Sequence, residues 1–477
     1  MEYEAVIGLE VHIHLGTKTK AFCGCSTEFG GQPNTQVCPV CLGFPGSLPV
    51  LNKTALEYAI KVGLALNCSV QEYTKFDRKH YYYPDLPKNY QISQYDLPVS
   101  VDGFLDINID NKPKRIRIKR AHLEEDAGKL IHGQNSSFVD LNRAGIPLLE
   151  IVTEPDINSP QEAYEYLSAL KSIIEYLDVS DCDMEKGSLR CDANISIRER
   201  GATALGTKTE LKNMNSFKGV KDALAYEIVR QKNALENGEK IIQETRLWDV
   251  KESKTFVMRT KEEAKDYRYL PEPDLPPFII SRAKIEEMRK DIPELPKAKA
   301  ARFVNEYGLT EKDAKVLVFS KGDAVYAEGC MRVYLPEDKK PVVNLLIGPL
   351  LAEANSRGLR LVDLKLPAEA IIELLGYIEK DAISNLAAKA VLKEMIDTSA
   401  SPTKIIQDKN LLQVSDVGSL DKDMEAVIAE NAKSVADYRS GKANALMFLV
   451  GQAMKRTKGK ANPKIVQEML KKRLENA

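Results

Sequence analysis

Ala5-Val6-Ile7-Gly8-Leu9-Glu10-Val11-His12-Ile13-His14-Leu15 carries apolar Ile7, Leu9, Val11 and Ile13 in strict alternation with Gly8, Glu10, His12 and His14. A period of two is the signature of a β-strand, with one face turned to a core and Glu10, His12 and His14 sharing the other. Neighbours on one face sit about 6.5–7 Å apart along the backbone, close enough to hold one metal ion or two adjacent ones. The competing reading is a half-exposed strand whose polar face meets solvent.

The same pattern recurs outward from this strand. Arg190-Cys191-Asp192-Ala193-Asn194-Ile195-Ser196-Ile197-Arg198 sets Arg190, Asp192, Asn194, Ser196 and Arg198 on one face and the apolar residues on the other. Gly145-Ile146-Pro147-Leu148-Leu149-Glu150-Ile151-Val152 reads as a buried strand, so Glu150 needs either an interior arginine or a metal as its partner. His122-Leu123-Glu124-Glu125-Asp126-Ala127-Gly128-Lys129 places three successive acids after a run, Lys112 to Arg120, that holds six basic residues. Hard oxygen ligands with one imidazole suit Mg²⁺ or Mn²⁺ better than zinc, and such ions usually serve phosphoryl chemistry.

If ATP is the substrate, its phosphates need a cradle. Gly201-Ala202-Thr203-Ala204-Leu205-Gly206-Thr207-Lys208-Thr209 approaches a P-loop, but one extra residue precedes the lysine and the segment joins two strand-like runs. The following strand offers Lys208, Glu210 and Lys212 on one face. With Arg190, Asp192 and Asn194 these make either a surface for Mg–ATP without a P-loop or an exposed charged strand.

Four of the eight cysteines cluster as Cys23-x-Cys25 and, twelve residues on, Cys38-x2-Cys41. Two short pairs of thiols can make a tetrahedral Zn²⁺ site, and four thiolates leave no open position, so the role is to pin a loop. Free reduced thiols are the alternative. Cys68, Cys182, Cys191 and Cys330 read as small core residues.

A chain of 477 residues, 43% hydrophobic and 29% charged, implies two or three globular domains. Residues 1–293 read as an α+β domain containing the cysteine knuckle. The Pro-dense stretch 271–297 then breaks periodicity, and residues 294–406 read as all-helical, with Ala368, Ile371, Ile372, Leu374 and Leu375 on one helical face. Ser401-Pro402 opens a helical tail, 407–477. Its best segment runs from Ala443 to Met454 before the basic Lys455-Arg456-Thr457-Lys458-Gly459-Lys460, and Asn462-Pro463 starts a last helix.

The 68 Lys+Arg and 69 Asp+Glu nearly cancel, against nucleic-acid binding over the whole surface. Residues 431–477, however, hold eleven Lys/Arg against Asp437, Glu468 and Glu475, enough local charge to meet phosphates. The acidic start, Met1-Glu2-Tyr3-Glu4, does not resemble a signal peptide and no apolar stretch reaches 18 residues, so a cytoplasmic protein without a membrane span is expected.

Several blocks together resemble one family over the whole chain: Gly8-Leu9-Glu10-Val11-His12, Cys38-Pro39-Val40-Cys41-Leu42-Gly43, Arg78-Lys79-His80-Tyr81-Tyr82-Tyr83-Pro84-Asp85-Leu86-Pro87-Lys88-Asn89-Tyr90-Gln91, His122-Leu123-Glu124-Glu125-Asp126, Asp140-Leu141-Asn142-Arg143-Ala144-Gly145, Gly187-Ser188-Leu189-Arg190-Cys191-Asp192-Ala193-Asn194, Gly206-Thr207-Lys208-Thr209-Glu210, Gln243-Glu244-Thr245-Arg246-Leu247-Trp248-Asp249 and Asp266-Tyr267-Arg268-Tyr269-Leu270-Pro271. The family is that of the B subunits of bacterial-type GatCAB amidotransferases. The resemblance implies a core related to the glutamine synthetase/guanidino kinase fold, then a helical domain and a YqeY-like tail. It also implies ATP- and Mg²⁺-dependent conversion of Glu-tRNA(Gln) and/or Asp-tRNA(Asn) to the amide form, with ammonia channelled from the glutaminase GatA and with GatC bracing the two. Carried over by position, Glu10, His12, Glu125 and Glu150 match the family's metal-binding residues, and Lys79 and Lys88 fall in the block that resembles the tunnel and active-site wall. His14 departs from the family's glutamine and is not counted as a ligand.

Three other readings compete. The archaeal GatDE counterpart carries an inserted domain for which residues 271–300 leave no room. A non-catalytic tRNA scaffold has no need of acids presented on strands, and a free-standing small-molecule amide ligase leaves the helical domains unexplained. No G-x-S-x-G elbow or glutaminase constellation is present, so ammonia has to come from a partner.

Overall fold

The computed structural model describes residues 2–110, 112–260, 267–413, 417–442, 444–457 and 461–476. The chain divides into two compact units, Met1–Pro296 and Lys297–Ala477. The first is built on a mixed sheet formed by β1 (Tyr3–His14), β2 (Ser69–Val70), β3 (Ser100–Ile109), β4 (Lys112–Glu125), β5 (Pro147–Thr153), β6 (Leu189–Glu199), β7 (Thr209–Lys212), β8 (Glu244–Asp249) and β9 (Lys254–Thr260). Its order is β9-β8-β7-β6-β1-β5-β4-β3-β2, antiparallel throughout except where β7 pairs with β8.

The opening strand is therefore central. Ile7, Leu9, Val11 and Ile13 are fully buried, in one core with Ile60 of α1 (Lys53–Ala65), Tyr166 and Leu170 of α2 (Pro160–Tyr176), and Val220 and Leu224 of α3 (Phe217–Glu236). Burying each such side chain is worth about 1.5–3 kcal/mol, which fixes the strand's register, because a one-residue slip would put Glu10 and His12 into that core. Each helix starts at a side-chain cap. Asn52, Ser159 and Ser216 accept from the backbone N–H of Ala55, Glu162 and Gly219, and Pro160 occupies the first turn of α2.

One irregularity aims the site. The register between β4 and β5 shifts at Val152/Thr153, opposite Ile118 and Arg120. Before it Ile116 and Ile118 are buried, and after it Ala121 and Leu123 are. A bulge thus turns Arg120, His122 and Glu124 onto the polar face of the sheet.

The second unit is helical. Helix Ala368–Glu379 buries Ile371, Leu374 and Leu375. Helix Pro402–Asp408 runs across the 406/407 boundary drawn from the sequence and buries Ile405 and Ile406. Helices Val417–Glu430, Ala432–Arg439, Asn444–Arg456 and Pro463–Asn476 share a core of Leu420, Met424, Val427, Leu449, Val450, Val466 and Leu470. The tail helix extends through Lys455 and Arg456, whereas Ala443, Lys458 and Lys460, like Asp266, lie outside the described residues. No described helix is long and apolar enough to cross a membrane.

Candidate active site and metal centres

Strand register alone assembles the first cluster. His12 of β1 lies opposite Glu150 of β5 and Arg190 of β6, and Glu150 lies opposite His122 of β4. Glu10 is paired with Asp192 in the same way. All stand on the face that the helices leave open.

His12 Nε2 is 3.3 Å from Glu150 Oε2, 3.4 Å from Glu10 Oε1 and 4.0 Å from Glu124 Oε1. His122 Nε2 is 3.7 Å from both Glu124 Oε2 and Glu150 Oε2. Two overlapping donor groups result, Glu10–His12–Glu150 and His122–Glu124–Glu150, with Glu150 common to both. Octahedral ligands at about 2.1 Å from Mg²⁺ stand about 3 Å apart, so the first group needs only small rotations to hold such an ion, and its donors are of the right kind. The acids also account for the local electrostatics. Burial alone would lower the His12 pKa, but Glu150, Glu124 and Glu10 carry it up to about 9. Burial and the neighbouring Glu150 push Glu10 up, with His12 and Lys212 pulling it back. Glu150 goes the other way: His122 and His12 overcome its burial and hold it well below the usual range.

Cations rim the acids. Arg120 Nη2 lies 3.8 Å from Glu150 Oε1, so the interior arginine and the metal-type donor set, two alternatives for Glu150 in the sequence, are both present. Lys79, on the short strand Asp77–His80, lies over the Tyr267 ring at 5.1 Å, and Glu124 and Glu150 raise its pKa against the effect of burial. Lys212 binds Asp192 and lies 3.4 Å from Glu210. Glu210 also accepts from Thr245 Oγ1 at 2.7 Å. Asn194 is half-buried opposite Gly8 and Glu210. Lys208 precedes β7 and is exposed, not part of the strand face expected for it.

Glu125 departs from the expected metal set. The pleat sends it to the opposite side of β4 from Glu124, where it pairs with Lys88 and accepts the Ile92 N–H at 2.9 Å. His122, Glu124 and Arg120 take up the positions near His12 and Glu150, and the change of parity from Ile116 and Ile118 to Ala121 and Leu123 was the signal that could have placed them. His14 Nε2 is engaged with Asp126 Oδ2 at 2.6 Å. Asp126 also binds Arg190 at 2.7 Å and lies 3.4 Å from Arg143, so it holds Arg190 in place at the edge of the cluster.

The second cluster is the knuckle. Cys23, Cys25, Cys38 and Cys41 offer sulfurs that lie within 4.8 Å of one another, and Cys38 and Cys41 are 4.0 Å apart. Ligands 2.3 Å from a tetrahedral zinc are separated by about 3.8 Å, so the four fit such an ion. The Cys41 thiol is lowered to about 4 by its hydrogen bond with Cys23, against burial, and by the Cys38 N–H and Lys20, whereas the Cys23 thiol moves up. Gly43, at φ 71°, closes the knuckle against Lys88. A Cβ there would meet Lys88 Cγ at 2.6 Å, so both the backbone angle and the space demand glycine. Between knuckle and sheet lies an open cavity of about 120 Å³ lined by Lys20, Cys23, Cys41, Lys88, Tyr90 and Glu125.

Comparison with known proteins places this arrangement. The GatB/GatE catalytic domain family matches residues 5–286, and the GatB domain family matches residues 330–474. The chain belongs to the GatB family. Relatives named as the B subunit of aspartyl/glutamyl-tRNA(Asn/Gln) amidotransferase include that of Carboxydothermus hydrogenoformans, 55% identical over 478 residues and covering 99% of each chain. That of Caldanaerobacter subterraneus is 55% identical over 99% of this chain and 100% of its own length, and that of Persephonella marina is 54% identical over the same shares. In this GatB-family chain the catalytic-domain match contains both the acidic face and the knuckle, and the GatB-domain match contains the four-helix tail core.

Proposed function

We propose that this chain is the ATP-using subunit of a tRNA-dependent amidotransferase, acting on Glu-tRNA(Gln), Asp-tRNA(Asn) or both. The observation that carries this reading is the polar face itself: Glu10, His12, Glu124 and Glu150 converge while Lys79, Arg120, Lys212 and Arg190 stand around them. A carboxylate does not form an amide with ammonia unless it is first activated. Activation here is attack of the substrate's carboxylate oxygen on the γ-phosphorus of ATP, releasing ADP. Ammonia then attacks the acyl carbon, phosphate leaves, and the amide loses its extra proton to base. A bound Mg²⁺ or Mn²⁺ supplies charge neutralisation to the phosphates. Glu10, His12 and Glu150 would hold it, with Glu124 and His122 beside them. Lys79 and Arg120 offset negative charge on the transferring phosphoryl group, and Arg190, fixed by Asp126, with Asp192, Asn194 and Lys212 holds the rest of the nucleotide.

Kinship of the sheet with the glutamine synthetase/guanidino kinase fold belongs to the same proposal, supported by a largely antiparallel sheet with helices on one face and acids on the other. So do the partners, a GatA-type glutaminase that delivers ammonia and a GatC-type subunit. The open cavity beside Lys88 and Glu125 supports their place on the wall along which ammonia arrives, and the cysteines are assigned a structural Zn²⁺. The decisive assay incubates the reconstituted complex with ATP, glutamine and each misacylated tRNA in turn. Formation of Gln-tRNA(Gln) or Asn-tRNA(Asn), lost in Glu150→Gln while glutaminase activity persists, is expected. ATP turnover unaffected by Glu150→Gln would return the chain to the scaffold reading.

A further inference from the structure

Lys20 is fully buried. Its ammonium has two partners, Cys41 Sγ at 3.7 Å and the Leu141 carbonyl at 3.3 Å. Among the described residues no carboxylate comes within ion-pair range of it. Glu125, the acid that shares its cavity, is taken by Lys88 and by the Ile92 N–H. A lysine stem can cover apolar surface while its head reaches water, but this head does not reach water. A buried ammonium without an anion is heavily penalised, so the fold must supply negative charge at this spot.

The negative charge at hand is sulfur. Metal-bound cysteines are thiolates, and four of them around one divalent ion leave an excess of negative charge in a poorly solvated knuckle. Two donors address the most buried of the four: the Lys20 ammonium and, at 3.2 Å, the Cys38 N–H both point at Cys41 Sγ. Lys20 is held in place for this. Its stem lies against Gly145, where an added Cβ would stand 3.4 Å from Lys20 Cδ, and its backbone N–H donates to the Cys25 carbonyl at 3.0 Å.

We propose that Lys20 is the built-in counter-ion of the cysteine metal centre: it donates to the Cys41 thiolate, balances part of the cluster's charge and couples that ligand to the Leu141–Gly145 loop. This rests on the reading of the four cysteines as a metal site. Outer-sphere donors of this kind set metal retention, and their loss typically costs 10–100-fold in affinity. The coupling also has a direction. With metal bound, the ammonium faces a cluster of four thiolates; without it, less negative charge stands near Lys20, so the residue stabilises the loaded protein more than the empty one.

The test uses the full chain, wild type and Lys20→Met, loaded with Zn²⁺ alone. Zinc transfer to a chromophoric chelator and the thermal midpoints of loaded and chelator-stripped protein are measured. The expected result is zinc release about 10–100-fold faster in Lys20→Met, with a loss of thermal midpoint that is larger in the loaded than in the stripped protein. Release at the wild-type rate overturns the proposal. So does an equal loss of thermal stability in loaded and stripped protein, which makes Lys20 a packing residue. If Lys20→Met does not fold, Lys20→Gln gives the same readouts with the charge removed and the volume kept. Wild-type protein that retains no zinc sinks the metal reading underneath, and the proposal with it.

Discussion

Glu124 and Glu125 are the same side chain one peptide apart, yet one lies 4.0 Å from His12 and the other is paired with Lys88 beside the knuckle. Their replacement by glutamine should therefore separate two functions. Glu124→Gln and Glu150→Gln are expected to cut tRNA amidation and tRNA-dependent ATP hydrolysis by at least ~100-fold, about 3 kcal/mol of transition-state stabilisation, with the partner's glutaminase reaction largely intact. Glu125→Gln should keep ATP hydrolysis within ~10-fold and instead lower the yield of amide per ATP consumed, since the residue it frees, Lys88, borders the cavity. Radiolabelled ATP and acid-gel separation of the tRNA products read both quantities. An inactive Glu125→Gln beside a normal Glu124→Gln would restore Glu125 to the metal set. Much of the site was legible in the sequence, because alternation in β1 and β6 needs no tertiary information: Glu10, His12, Arg190, Asp192 and Asn194 stand where period two puts them. Block resemblance brought in Glu125 without the phase of its strand, and phase is what decides which of two adjacent acids meets the histidines.

At the scale of elements, the bulge between β4 and β5 shows why that phase was hard to read. The run from Lys112 to Arg120 is dominated by charge, and its parity changes within it, from buried Ile118 to buried Ala121. Propensity alone does not reveal a bulge, and the helix Pro402–Asp408 was cut for a similar reason: Ser401-Pro402 is a helix start, with Ser401 accepting from the Lys404 N–H, and the chain leaves the middle helices only after it. The knuckle is an element whose stability depends on ligation. Cys38→Ser with Cys41→Ser should abolish zinc retention and lower the loaded protein's thermal midpoint by several degrees. Elemental analysis of gently purified wild type showing no metal would leave the free-thiol reading standing.

In the helical unit, Glu328 gathers Lys299 at 2.8 Å, Arg302 at 3.0 Å and Arg332 at 2.6 Å. Although burial opposes it, hydrogen bonds from Arg302 and Lys299 lower its pKa from 4.5 to about 2. A depressed carboxyl pKa contributes stability that is complete above about 4.5 and lost as pH falls toward 2. Glu328→Gln should cost on the order of 1–2 kcal/mol at pH 6 and progressively less below pH 4, as followed by urea unfolding of the helical circular dichroism signal. An equal cost at both pH values would assign the loss to packing.

For the molecule as a whole, charge is distributed by unit. The excess of eight over residues 431–477 falls to five once the helix Val417–Glu430 is included, because its four acids outnumber its one lysine. Some of the tail's cations are already engaged, Arg456 with Asp423 and Glu430, and Arg473 with Asp421 and Glu425. The four-helix core is self-contained, so removing residues 414–477 should leave the sheet domain folded and its metal retained. Binding of misacylated tRNA should weaken and its salt dependence flatten by roughly 0.7–0.9 for each phosphate no longer neutralised. A truncated complex with unchanged affinity and salt slope would move tRNA recognition to the remaining residues.

The central position of β1 also dictates when the site can exist. Glu10 pairs opposite Val152 on one side and Asp192 on the other, so β1 must wait for some 140 further residues before its first neighbour emerges and some 180 before its second, roughly 7–36 s at ordinary rates of synthesis. Until β5 emerges both edges of an apolar strand lie open to wrong pairing, and one edge stays open until β6 follows. Glu10, His12 and His14 then act as gatekeepers, interrupting a segment that would otherwise be continuously apolar from Ile7 to Leu15. Replacing Glu10 and His14 together by valine should shift newly made chains into the insoluble fraction of a cell-free translation, whereas Glu150→Gln, equally placed in the site but on a strand made later, should leave solubility unchanged. The polar face that gathers ligands in the finished protein is, during synthesis, what keeps its central strand from aggregating.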